Sequence, residues 1–194
     1  ADSLALGAHW IYDTKKIDKE FGRVDRMSAP RPNSFHAGKA KGEHTHYGDQ
    51  GLVLLQSVAN SKGFDLLHFS RKWREMFDDY DGYFDKATKE TLRRFADGKP
   101  PDQAGSGSSD LAGAARIAPL VFRYRNDESG LIEAARAQTA MTHNHPEVIA
   151  AAGFLARTTL AVLGGKPPVA AIREQAESQD ALAGYIQKGL ESAA

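Results

Sequence analysis

The chain has 194 residues, 41% hydrophobic and 26% charged, with 25 basic side chains against 25 acidic ones. That balance predicts a folded globular domain and excludes the basic footprint of non-specific nucleic-acid binding. The absence of cysteine excludes a disulfide scaffold, thiol catalysis and thiolate-bound zinc, and points to a reducing compartment such as the cytoplasm.

Residues 1–12 carry Leu4, Ala5, Ala8, Trp10 and Ile11 without a clean polar face, which predicts a buried helix entered in mid-turn. Between Asp13 and Asp49 the period is lost among charges, Pro30, Pro32, Asn33, Gly38 and Gly42, predicting a long loop. Loops of that length are uncommon unless functional. Helical spacing returns over 51–60, and Gly63 follows as a stop. Amphipathic stretches follow over 66–79, with Leu66, Phe69, Trp73 and Phe77, and over 85–96. The segment Gly105-Ser106-Gly107-Ser108-Ser109-Asp110 predicts a flexible turn into an alanine-rich helix over 111–124. Asp110 is placed to cap that helix, and Pro119 to bend or end it early. Its small residues leave room for a close neighbour. Further helices are predicted over 131–141, over 147–163 opened by Pro146, over 169–176 and over 181–190. No alternating β-branched run argues for a sheet. The expected fold class is all-α, a bundle of seven to nine helices. No run approaches the roughly 18 consecutive apolar residues of a membrane span, so no membrane partner is expected.

Polar chemistry concentrates in the loops. His36, His44 and His46 fall in the long one, His143 and His145 precede Pro146, and His9 sits near the end of the first helix. Such imidazoles serve either as a hydrogen-bonded surface or as metal ligands, and loops on a rigid scaffold suit both. Asp49 lies at the start of a buried helix, where a carboxylate either caps the helix or ligates a hard cation such as Mg²⁺. Imidazole from His44 and His46 would shift preference toward Mn²⁺ or Zn²⁺. The glycine–serine turn could offer backbone N–H groups to a phosphate, although it lacks the lysine and spacing of a Walker loop. Arg116, set among alanines, calls for a structural ion pair or an anionic ligand.

Four blocks in order resemble a known family. Asp2-Ser3-Leu4-Ala5-Leu6-Gly7-Ala8 resembles its GDALGA opening helix, and Tyr47-Gly48-Asp49-Gln50 stands where it has Thr-Asp-Asp-Thr. Ala112-Gly113-Ala114-Ala115-Arg116-Ile117-Ala118-Pro119-Leu120 resembles its NGAAMRIAPL helix, and Thr142-His143-Asn144-His145-Pro146 its TH-plus-proline helix start. The family is the ADP-ribosylglycohydrolases, which include the dinitrogenase-reductase-activating glycohydrolase and the non-enzymatic J-type crystallins. The resemblance covers the chain from Asp2 to about Leu163.

It implies an all-α helical bundle and a metal-assisted hydrolase that frees ADP-ribose from a modified side chain or related conjugate. The alternative it implies is a non-catalytic scaffold or nucleotide-binding protein. Two Mg²⁺ ions would orient the ribose while a polarised water attacks an oxocarbenium-like centre. Asp49 would be the catalytic and metal-binding acid, with His44 and His46 as further metal ligands. Ser109, Asp110, Arg116 and His143 would bind the ligand. Partners would be small molecules or ADP-ribosylated proteins. Compared with Thr-Asp-Asp-Thr, residues 47–50 lack one carboxylate and both hydroxyls. Residues 1–194 are expected to form one helical domain, as a fragment of a longer one that would supply a further aspartate-rich block.

Overall fold

The computed structural model describes residues 1–176 and 182–192, whose regular secondary structure is all helical, with one isolated bridge and no strand among them. Helix α1 (Asp2–Ala5) runs into a 3-10 turn, Leu6–Ala8. The first helix is shorter than the twelve residues its apolar content predicts, because Trp10 takes a left-handed φ of 62°. A non-glycine residue suffers steric strain there and cannot continue a helix. Helix α2 (Thr14–Glu20) then appears inside the expected loop. Its start is fixed by Asp13, whose carboxylate accepts from the N–H groups of Lys15 and Lys16.

Helix α3 (His46–Ser61) begins a turn earlier than its apolar period, since Thr45 caps it through a hydrogen bond from the Tyr47 N–H. Helices α4 (Leu66–Asp78) and α5 (Lys86–Ala96) are capped by Asp65 and Asp85. The alanine-rich segment divides around Pro119 as expected, into α6 (Ala112–Ala115) and α7 (Ala118–Arg123). Helices α8 (Glu128–Ala140), α9 (Pro146–Leu163), α10 (Pro168–Ala176) and α11 (Ala183–Ser192) follow. Ala181, where the sequence pattern starts the last helix, lies outside the described residues.

One core joins these elements. Leu54 and Val58 from α3 meet Phe69, Trp73 and Phe77 from α4, Ile117, Leu120 and Val121 around α7, Leu131, Ala134 and Ala135 from α8, and Ala152 and Ala156 from α9. Helices α8 and α9 form the most extensive pair, and α6 packs on both. Alanines and Gly153 on the facing sides permit that approach. Helix α9 is, among the described residues, the one helix with the length and apolarity of a membrane span, with mean hydropathy 1.4 over 18 residues. Unbroken apolar runs miss it because Thr158, Thr159 and Arg157 interrupt it, and its buried face of Val148, Ala151, Ala152, Gly153 and Ala156 serves the core.

The Gly105–Asp110 turn is tied down at its start, contrary to the flexible segment expected. Ser106 pairs with the 142–144 strand-like stretch, its N–H donating to Thr142 O at 3.0 Å and its carbonyl accepting from the Asn144 N–H at 2.8 Å. The Ser106 hydroxyl adds a second bond to Thr142 O, and Arg94 reaches Gly105 O. A Cβ at Gly105 would lie 2.0 Å from Ala140 O, whereas one at Gly107 would meet open space. Gly105→Ala is therefore expected to lower the unfolding free energy by about 1–3 kcal/mol. Gly107→Ala should stay within about 0.5 kcal/mol of the parent, as read by urea denaturation.

Candidate functional site

A cleft of about 730 Å³ opens between the N-terminal segment, the start of α3 and the α6–α7 corner. That volume suits a small-molecule ligand. Asp2, Trp10, His44, Tyr47 and Gly48 form one wall, and Asp110, Ala112, Ala115, Arg116 and Pro119 the other. Leu52 and Leu55 supply apolar surface between them.

The first wall depends on Asp2. Its two carboxylate oxygens accept from the Thr45 N–H at 2.8 Å and the Thr45 hydroxyl at 2.7 Å, which fastens α1 to the start of α3. Gly48 makes that approach possible: a Cβ there would sit 2.3 Å from Asp2 Oδ2. Behind the wall lies a nest of aromatic rings. Trp10 stacks on His9 and His36, with ring centroids 4.6 and 5.3 Å away, and meets Tyr47 and Tyr83 edge-on. His9 Nδ1 and His36 Nε2 are hydrogen-bonded at 2.8 Å. Burial, and next the neighbouring His9 and His46, lower His36 to about 4, so it is neutral at pH 7.

The second wall depends on Arg116, which is 8% exposed. Its Nε donates to Gln138 Oε1 at 2.8 Å and its Nη1 to Gln50 Oε1 at 2.9 Å, while Nη2 reaches Gln138 O and the Thr142 hydroxyl. Gln50 Oε1 also accepts from Trp73 Nε1 at 2.8 Å. Every acceptor is neutral. Burial lowers the guanidinium to about 10, opposed by the field of Asp85, and it stays charged at pH 7.

The residues picked from sequence are distributed unevenly around this cleft. His44, Asp110 and Arg116 line it. Asp110 uses Oδ1 to accept from the Ala112 N–H at 2.6 Å and is exposed at the rim. Asp49 lies in a separate hollow with Val53, Gln56, Met76 and Tyr80. There its Oδ2 accepts from Lys39 Nζ at 2.8 Å and the Tyr80 hydroxyl at 2.6 Å, with His44 Nδ1 3.8 Å from Oδ1. His46 is fully buried and turns to Asp85, whose Oδ2 is 3.4 Å from its Nε2. Burial would raise the Asp85 carboxyl, yet His46 and the Thr88 N–H together hold it below the usual carboxylate range. Ser109 lines a different groove, beside Val148, Ala151 and Tyr185.

His143 is buried beneath α6, where a Cβ on Gly113 would be 2.8 Å from its Nδ1. That nitrogen hydrogen-bonds the Thr142 hydroxyl at 2.9 Å, while Nε2 has no hydrogen-bond partner. Burial and then the Arg116 charge lower His143 to about 4. In the serine turn the N–H groups of Ser106, Ser108 and Asp110 are engaged by Thr142 O, Ser106 Oγ and Ser108 Oγ.

Among the described residues no three His, Asp or Glu side chains are grouped to hold a metal ion. Asp2 is satisfied by Thr45, and Asp49 by Lys39 and Tyr80. This donor set does not fit a pair of Mg²⁺ ions, which take several free oxygen ligands.

The sequence reading gives no site role to Asp2, Trp10, Lys39, Gln50, Tyr80 or Asp85. Asp85 carried a signal, an aspartate opening an amphipathic helix. Lys39 and Tyr80 carried none, since their meeting at Asp49 depends on how the long loop folds back.

A model of the ADP-ribosylglycohydrolase family matches residues 1–194. Comparison with curated proteins gives no match.

Replacing Gln50 by Leu leaves Arg116 and Trp73 without their shared acceptor, so a loss of about 2–4 kcal/mol is expected in urea denaturation. The buried histidines give a pH dependence. An imidazole with folded pKa about 4 against 6.5 unfolded contributes stability fully above pH 6.5 and loses it as pH falls toward 4. The unfolding free energy should therefore decline across that window, and His143→Asn should flatten the decline.

Proposed function

From the premise that the chain belongs to the ADP-ribosylglycohydrolase family, we propose that this cleft takes the ADP-ribosyl group and releases ADP-ribose from a modified side chain or related conjugate by hydrolysis. The observation that supports this reading best is Arg116, a buried cation with neutral acceptors only, opening onto a cleft of ligand size. A guanidinium so placed favours an anionic ligand group, and the diphosphate of ADP-ribose supplies one. The network holds the guanidinium in place through Nε, Nη1 and Nη2, so it acts on the ligand chiefly through its fixed charge.

Asp110 takes the acid–base role in this reading. One of its oxygens holds the Ala112 N–H, and the other is free at the cleft rim to orient a water and accept its proton. Attack by that water breaks the bond between the anomeric carbon and the modified side chain through an oxocarbenium-like state, and the departing side chain takes up the proton that Asp110 accepted from the water. Asp49, which the resemblance makes the catalytic acid, is held outside the cleft by Lys39 and Tyr80.

That same diversion of Asp49 favours a second reading, a non-catalytic scaffold that binds the nucleotide and does not turn it over. Incubation with ADP-ribosyl-arginine separates the two. Release of free ADP-ribose that falls at least about 100-fold in Asp110→Asn is expected for the hydrolase. Calorimetric binding of ADP-ribose without turnover would establish the scaffold instead. In either case Ala115→Glu, an acid introduced on the exposed wall beside Arg116, should weaken ADP-ribose binding about tenfold or more. Unchanged affinity would place the ligand elsewhere.

A further inference from the structure

The family resemblance leads one to expect divalent cations in the cleft, and the arrangement of side chains argues for a different source of positive charge. Resting on the ligand assignment above, we propose that Arg116 serves as the fixed cation of this cleft and that ligand binding requires neither Mg²⁺ nor Mn²⁺.

Asp49 and Asp2 are each closed to a metal by a specific neighbour, and Asp110 at the rim keeps one oxygen, too few for a pair of dications. Asp49 is the acid that remains in the 47–50 block, and a lysine ammonium sits 2.8 Å from its Oδ2 with the Tyr80 hydroxyl 2.6 Å from the same oxygen. A divalent ion would have to displace both, and the ammonium repels it. Lys39 is itself held, with Nζ 5.0 Å from the centroid of the Tyr80 ring. Asp2 offers no alternative, since both its oxygens accept from Thr45. No carboxylate fits at position 48 in this packing, because a Cβ there would already lie 2.3 Å from Asp2 Oδ2 and 2.8 Å from His44 Cβ.

The remaining position of the block has changed character in step. Gln50 is 2% exposed and directs its oxygen inward to Arg116 and Trp73, so it serves the guanidinium and not a ligand of the cleft. Arg116 is thereby locked in position with its charge uncompensated by any carboxylate hydrogen bond. A guanidinium in that setting performs one part of the metals in binding: its fixed charge offsets that of an anionic group, while most of its N–H donors stay on protein acceptors. It cannot supply a metal-bound hydroxide, and binding needs none. A pair of dications in the same cleft would meet the field of Arg116 without enough carboxylates among the described residues to offset it.

The test uses the full chain after dialysis against chelator. Titration with MnCl₂ alone, followed by calorimetry and by the EPR signal of free Mn²⁺, is expected to show no saturable site in the micromolar range. ADP-ribose titrated in EDTA and in millimolar Mg²⁺ should give affinities that agree within about twofold. Stoichiometric Mn²⁺ uptake at micromolar concentration, or an affinity raised about tenfold or more by Mg²⁺, would overturn the proposal. If ADP-ribose binds under neither condition, the ligand assignment fails, and with it the role of Arg116 as the cation of the cleft. The MnCl₂ titration still decides the metal independently.

Discussion

The guanidinium of Arg116 is the group on which the arrangement of this molecule depends. A buried cation is tolerated only when its donors are met, and in this fold they are met by residues from distant parts of the chain: Gln50 on α3, Gln138 on α8 and Thr142 in the turn before α9. Trp73 on α4 joins through the shared oxygen of Gln50. The ring of Phe69 lies under the guanidinium, its centroid 5.9 Å from Cζ. Shifting any of these helices strands a polar group in the core, so the network selects one packing among those that the apolar surfaces alone would allow.

The same network places the cleft. Arg116 ends α6 and precedes the Pro119 corner, so its anchoring fixes the wall formed by Ala112, Ala115 and Pro119. The opposite wall is fixed independently by Asp2 on Thr45 and by the aromatic nest around Trp10. Trp10 holds a strained backbone conformation, which persists because stacking on His9 and His36 and edge contacts with Phe35, Tyr47 and Tyr83 offset its cost. Two rigid walls with different anchors make a preformed cleft between them.

Much of the helical framework was legible in the sequence because it rests on periodicity and capping, which are local. Helices α4, α5 and α9 fall within a few residues of their patterns, and Pro119 divides the alanine-rich segment where its missing N–H and ring demand. What escaped was set by contacts far apart in sequence. Residues 9–12 read as helix until the stacking of Trp10 is known, and α2 hid among charges with only Asp13 to mark it. In the cleft, Asp110, Arg116 and His44 were visible as unusual residues in their surroundings. The placement of Asp49 was not, because its partners lie 10 and 31 residues away.

The three residues of the block that depart from the family pattern, Tyr47, Gly48 and Gln50, are best understood together with Asp49, which keeps it. Residues 47–50 are consecutive in a helix, so their side chains leave the axis about 100° apart and reach different neighbours. Tyr47 turns to the cleft, where burial and the charges of Asp85 and Asp110 push its phenol up and keep it protonated. Gly48 yields its space to Asp2, Asp49 is taken by Lys39 and Tyr80, and Gln50 supports Arg116 and Trp73. Each departure has a partner elsewhere that requires it: a longer residue at 48 would expel Asp2, and a hydroxyl at 50 could not reach both Arg116 and Trp73. The block is therefore a consistent set, in which the missing carboxylate and the glutamine that holds the buried Arg116 guanidinium belong to the same arrangement of charge.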